Sequence, residues 1–133
     1  MTSLSVYSQT FLHDFEDAKK VAVEKNQLIV LIFSGSDWCK PCIQFKSNIL
    51  SDPAFSTFAE EELVLLEVDF PYKKKNRLSK EQQMHNNQLA ERYNPNGSFP
   101  MVVLLDETGK RKDQFGYDSK LEVSDYLQKM TRK

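Results

Sequence analysis

The chain holds two cysteines, Cys39 and Cys42, three positions apart in the stretch Trp38-Cys39-Lys40-Pro41-Cys42. They come directly after an apolar run and open a helix-like segment. Thiols at that spacing can close into a disulfide and reopen without moving the rest of a fold, and Cys-x-x-Cys after a strand is the pattern of a redox pair. A sulfur at the first turn of a helix meets backbone N–H groups that lack a helical partner, and the helix dipole favours negative charge there. Lowering a thiol pKa from about 8.5 to about 7 raises its thiolate fraction at neutral pH from roughly 3% to roughly half. Cys39 is therefore the expected nucleophile toward a disulfide on another molecule. Cys42, one turn further along and more buried, is the expected resolving thiol. Pro41 suits the helix start because its missing N–H would be unpaired there in any case.

Other uses of two cysteines fit less well. A zinc site needs two further ligands, and His13 and His85 show no paired spacing. Both histidines sit in polar helical surroundings and are expected to face solvent. Haem attachment requires a histidine after the second cysteine, where Ile43 stands. A pair of buried structural cysteines stays open as the plain alternative. The totals are those of a globular protein: 133 residues, 40% hydrophobic and 28% charged, read as one domain over 1–133. A net charge of −1 supplies no overall field for nucleic acid. Leu28 to Phe33 is too short to cross a bilayer, so no membrane insertion is expected. Met1-Thr2-Ser3-Leu4-Ser5-Val6 lacks the basic-then-apolar shape of a secretion signal, which makes the chain as written cytoplasmic. A monomer is expected.

The elements that must position the cysteines are read from periodicity. Phe11, Phe15, Ala18 and Ala22 recur near helical spacing, predicting an N-terminal helix over Thr10 to Lys25 that stops at Asn26. Leu28 to Phe33 reads as a buried strand with parallel neighbours. Cys42, Phe45 and Ile49 mark one helical face. Asp52-Pro53 restarts the helix, with Phe55, Phe58 and Ala59 inward. Leu63 to Asp69 is the next strand, giving a βαβ unit. Phe70 to Leu78 is a basic loop, with Lys73, Lys74, Lys75 and Arg77 expected to be solvated. Ser79-Lys80-Glu81-Gln82 has the capping-box pattern of a helix running to Tyr93, with a thin apolar face of Met84, Leu89, Ala90 and Tyr93. Asn94 to Ser98 is a turn. Met101 to Leu105 and Lys110 to Gly116 form a hairpin around Asp106-Glu107-Thr108-Gly109. Ser119-Lys120-Leu121-Glu122 opens a last helix with Val123, Tyr126, Leu127 and Met130 inside. The order α-βαβ-α-ββα predicts an α/β fold: a central mixed sheet flanked by helices.

Trp-Cys-x-Pro-Cys after a buried strand, Phe99-Pro100 before a later strand and a ββα ending resemble the thioredoxin fold, over Leu28 to Met130. The stretch Phe33-Ser34-Gly35-Ser36-Asp37-Trp38 and the longer segment before Pro100 look closer to bacterial thioredoxin-like proteins of the thiol:disulfide interchange type. The resemblance implies a thiol–disulfide oxidoreductase whose substrates are protein disulfides or dithiols. It needs no bound cofactor and is reset by an upstream electron donor or acceptor protein. Relatives of this type are often exported, which points to the cell envelope. Pro100, otherwise an ordinary strand-opening residue, is then the family's cis-proline, facing the dithiol and presenting substrate backbone. Trp38, with Phe99 and Tyr72 as weaker candidates, belongs to an apolar rim for unfolded chain.

Departures from the family pattern are equally specific. The compact thioredoxins carry a buried aspartate in the strand before the motif, whereas Leu28 to Phe33 contains no carboxylate. Asp37 is expected to be a solvated loop residue. The family's lysine on the next strand is absent, and Glu67, the nearest ionisable residue there, is expected to point outward. Lys40 stands where glycine is usual. It is expected to be a solvated side chain; the alternative is that a cation beside Cys39 favours its thiolate and moves the couple toward the oxidising end. The competing class is a peptide-binding module in which the disulfide is structural or vestigial.

Overall fold

A computed structural model describes residues 11–131. Met1 to Val6, read above for a signal, and Thr10 lie outside the described residues. Five strands, β1 (Phe11–Leu12), β2 (Leu28–Ser34), β3 (Leu63–Asp69), β4 (Met101–Leu105) and β5 (Arg111–Phe115), form one sheet in the order β1-β3-β2-β4-β5. β1 and β2 both run parallel to β3, while β4 is antiparallel to β2 and to β5. The sheet is therefore mixed. β2 has one parallel and one antiparallel neighbour where the sequence predicted two parallel ones, because a strand buried on both faces reads the same in either setting.

Side chains alternate across β2, so each face of the sheet has its own core. Val30 and Ile32, with Leu65, Val102 and Leu104, meet Phe45, Ile49, Phe55 and Tyr126 from helices α2 (Lys40–Phe45), α3 (Pro53–Glu62) and α5 (Val123–Lys129) and the turn between α2 and α3. Ile29, Leu31 and Phe33, with Val64, Leu66 and Val103, meet Phe15, Ala18 and Ala22 of α1 (Phe15–Lys25) and Leu89 and Tyr93 of α4 (Lys80–Tyr93). Each such aliphatic side chain, fully buried, contributes about 1.5–3 kcal/mol. β2 feeds both cores at once, which makes its C-terminal end a firm platform for the cysteine loop.

The N-terminal helix begins later than its spacing predicted. Asp14 caps it, accepting from the Asp17 N–H at 3.0 Å, and Asn26 ends it in the left-handed conformation. Phe11 and Leu12 instead pair with Leu65 and Leu66 of β3. An apolar residue four positions before Phe15 satisfies the helical period whether or not the helix reaches it. After α2 the chain widens into a π-helical turn, Lys46–Leu50, before Asp52 caps α3 through the Ala54 N–H at 2.8 Å. The last helix starts at Val123, capped by Glu122 and Asp125 reciprocally, not at the Ser119 box.

α4 also differs from its predicted face. Met84 is exposed, and the inward position is taken by Asn86, whose amide donates to the Asp69 carbonyl at 2.9 Å. His85 is half-buried and does not face solvent: its Nε2 accepts the Phe15 N–H at 2.9 Å, and its Nδ1 lies 2.7 Å from Asn86 Oδ1. A backbone N–H can only donate, so Nε2 carries no proton and Nδ1 does. Polar residues thus tie α4 to the start of α1 and the end of β3.

Candidate active site

β2 ends at Ser34, and the chain turns through Gly35, Ser36 and Asp37 into α2. The N–H groups of Trp38 and Cys39 close this turn on the Gly35 carbonyl at 3.2 and 2.9 Å. Cys39 is the N-cap of α2, in extended conformation, and its Sγ accepts the Cys42 N–H at 3.3 Å. A sulfur here occupies the place usually held by a serine or aspartate oxygen. Cys39 and Cys42 are joined in a disulfide with Cα atoms 5.2 Å apart, and Cys42 Sγ accepts the Gly35 N–H at 3.5 Å. The expected difference in burial is absent from this oxidised pair, whose exposures are 5% and 4%. What differs is the neighbourhood of each sulfur.

Beside Cys39, Trp38 is 49% exposed. Its indole N–H donates to the Phe70 carbonyl at 2.8 Å, and its ring meets Phe99 edge-on at 5.6 Å. Phe99 in turn meets Phe70 at 5.7 Å. The indole lies over Gly35, where a Cβ would fall 2.7 Å from Nε1 and closer still to the ring carbons. Ile43, half exposed, adds a second apolar group next to Cys42. Sequence reasoning used Ile43 to exclude haem and passed over it as part of the rim. Lys40 is exposed, Pro41 sits in the first turn of α2, and Tyr72 is exposed with its ring outside the Trp38–Phe99–Phe70 stack.

The Phe99–Pro100 peptide is cis, and Phe99 is half-buried. Pro100 is buried and, with Cys42, Ser34, Phe45 and Glu67, lines a small cavity of about 20 Å³ behind the disulfide. Glu67 therefore does not point outward as expected. Its side chain is 24% exposed and its Oε1 lies 3.2 Å from His13 Nε2. The alternation of β3 puts Glu67 on the face of Leu63 and Leu65, toward α2.

Asp37 is also more than a solvated loop residue. Its carboxylate accepts the N–H groups of Tyr72 and Lys73 at 2.8 and 3.0 Å and the Asn76 amide at 2.9 Å. The Asn76 amide first, then the Tyr72 N–H, hold its carboxyl down at about 2. Asp69 does the reverse job, accepting from the Ser36 N–H and hydroxyl at 2.9 and 2.6 Å. The cysteine loop and the basic loop are thereby sewn together, and Lys73, Lys74, Lys75 and Arg77 stand exposed on the latter. A short acceptor in a turn was the only local signal available for Asp37.

Among the described residues, no group of three or more His, Cys, Asp and Glu side chains gathers to hold a metal ion. No described helix is long and apolar enough to cross a membrane.

A mixed sheet with a capped Cys-x-x-Cys at the end of its central strand and a cis-proline opening the next defines a thioredoxin-type fold. The chain belongs to the thioredoxin-like domain family, whose model matches residues 15–131. It is 35% identical over 112 residues to the disulfide bond reductase DsbH of Chlamydia pneumoniae, covering 84% of this chain and 61% of that protein. It thus spans about three fifths of the length of that relative. A solved structure of a DsbH oxidoreductase superposes with a TM-score of 0.81 at 30% identity, over 97% of this chain and 88% of the other. A thioredoxin from Thermus thermophilus shares the fold, with a TM-score of 0.66 at 20% identity over 92% and 85% of the two chains.

Proposed function

We propose that this protein is a thiol–disulfide oxidoreductase acting on protein substrates through Cys39 and Cys42. The observation that carries this reading is the capping geometry. Cys39 Sγ, at the head of α2, already accepts one N–H, an arrangement that favours a thiolate over a thiol once the disulfide opens. In the reducing direction Cys39 thiolate attacks a substrate disulfide, forming a mixed disulfide and releasing one substrate thiolate. Cys42 then attacks Cys39 Sγ, which closes the internal disulfide and frees the second substrate sulfur. Two electrons leave the pair and two substrate sulfurs are reduced, so the reaction calls for no bound cofactor. A second redox protein returns the pair to its starting state. Trp38, Phe99 and Pro100 form the surface that receives extended substrate, Pro41 fixes the first turn, and Lys40 favours the anionic sulfur.

Insulin-reduction turnover with dithiothreitol tests the assignment. Wild type turns over, and Cys39→Ser falls to the uncatalysed background. Turnover that survives the substitution removes the enzymatic reading, and peptide binding without any wild-type turnover supports a binding module instead.

A further inference from the structure

β3 ends at Asp69, and the stretch 70–80 that follows carries Lys73, Lys74, Lys75, Arg77 and Lys80 and no carboxylate. All five cations are exposed, and among the described residues none of them makes an ion pair. The carboxylates this loop touches or adjoins are Asp37, Asp69 and Glu81. It therefore keeps a surplus of positive charge on a chain whose net charge is −1.

A lysine run on a slack loop is ordinarily just solvated. This one is pinned. The Asp37 carboxylate accepts the N–H groups of Tyr72 and Lys73 and the Asn76 amide. The 3₁₀ turn Lys74–Asn76 is closed by the Asn76 N–H on the Lys73 carbonyl at 2.9 Å. At the start of the loop, the Phe70 N–H donates to the Ser34 carbonyl at 2.9 Å and the Phe70 carbonyl receives the Trp38 indole N–H. Asp37 stands two residues before Cys39, and two trans peptides span at most about 7.6 Å between Cα atoms. The cations are thus hydrogen-bonded onto the same turn that presents the nucleophile. Tyr72, at the head of the run, is 85% exposed, with its ring free of the Trp38–Phe99–Phe70 stack.

On the oxidoreductase reading above, on which this rests, we propose that residues 72–77 dock an acidic segment of the protein whose disulfide exchanges with Cys39. A fixed array of cations complements a cluster of Asp and Glu side chains, and such complementarity acts mainly on the rate and register of encounter. Tyr72 supplies a rigid aromatic contact among the charges, a residue type enriched where interfaces are anchored. Charges are screened over about 8 Å at physiological salt, so a loop tied this near the cysteine turn selects among chains already approaching Cys39. An anionic bilayer would meet the same cations, but a flat surface laid on this loop would crowd the neighbouring Trp38 rim that exchange needs open. A protein segment leaves it clear.

Stopped-flow mixing of the reduced protein with two synthetic peptides tests this. Both carry the same internal disulfide, one flanked by aspartates and the other by lysines, and Trp38 fluorescence reports the exchange. At low salt the aspartate peptide should react about tenfold faster, the lower end of what electrostatic steering supplies. The ratio should fall to within about twofold at about 1 M salt, where screening acts over about 3 Å. Lys73→Gln, Lys74→Gln, Lys75→Gln and Arg77→Gln combined should abolish the preference, yet hold exchange with the uncharged hydroxyethyl disulfide within about twofold of wild type. Lys74→Glu with Lys75→Glu should reverse it. Equal rates for the two peptides in wild type overturn the proposal. So does a preference that survives the combined glutamine variant, which would assign it to Lys40 and Lys46. Binding of wild type but not of that variant to vesicles of phosphatidylserine and phosphatidylcholine, with no preference between the peptides, overturns it in favour of a lipid surface. A wild type that exchanges with none of the three disulfides brings down the oxidoreductase reading and the docking surface with it.

Discussion

The two sulfurs of one disulfide are equally hidden yet look onto opposite kinds of surface. Cys39 lies next to Trp38, whose half-exposed indole packs on Phe99 and is anchored to the Phe70 carbonyl. Cys42 lines a small cavity that Ser34, Glu67 and Lys46 share with it. Helical spacing alone produces neither. The apolar side comes from loops reaching over from β3 and before β4, and the polar side comes from β2, β3 and the π-helical turn. The two thiols differ by what the fold brings against each one, since their backbone positions differ by a single turn.

The sharpest way to break this comparison is to remove one sulfur at a time. Cys42→Ser keeps the capped nucleophile and loses the resolver. It should accumulate a stoichiometric mixed disulfide with a disulfide substrate, detectable by mass, while turnover disappears. If Cys42→Ser forms no adduct and a Cys39→Ser protein does, the two sides are assigned the wrong way round.

A smaller effect isolates the apolar side. Gly35→Ala places a methyl group into the Trp38 indole, which is held on its other flank by Phe99. Overpacking of this kind costs about 1–3 kcal/mol. Denaturant unfolding followed by fluorescence is direct, since Trp38 is the chain's single tryptophan. Unchanged stability together with an unchanged emission spectrum would show that the indole does not depend on that glycine.

The smallest effect concerns the seam between the cysteine loop and the basic loop. Asp37 is held at about 2 against an ordinary 3.8, so its folded pKa is depressed. A depressed carboxyl adds stability at pH above about 4 and loses it as pH falls from there through about 2. Asp37→Asn should therefore lower stability slightly at neutral pH and flatten that part of the acid-unfolding curve. Unfolding midpoints taken from about pH 7 to about pH 2 check both. A variant whose curve keeps the wild-type slope across that acid range would remove Asp37 as the tie.

Much of this molecule is legible along the chain. β3 and α4 begin and end where the sequence predicts, and β2 runs one residue past Phe33, because strands buried on both faces are unbroken apolar runs and caps such as Asp52 and Ser79 are local chemistry. Cys39, Cys42 and Pro100 could be singled out for the same reason: a spacing of three and an x-Pro before a strand are visible without neighbours. The misreadings share a different origin. Phe11 fits a helical period but pairs with Leu65, far along the chain, and His85 looks solvated until α1 supplies the Phe15 N–H. Glu67 and Asp37 read as surface carboxylates because an isolated acid in a strand or turn usually is one.

Composition, periodicity and the motif were enough to place four of the five strands and the middle of each helix, and to set two thiols at the head of one of them. Those features depend on interactions within a few residues of one another. Which group lies behind Cys42, what supports Trp38, and what ties the basic loop to the cysteine loop were decided only by the tertiary structure. Each depends on a contact between distant stretches of chain, as in Asp37 with Tyr72 and His13 with Glu67, whose geometry exists only once β3 and β2 are paired and the helices have closed over them.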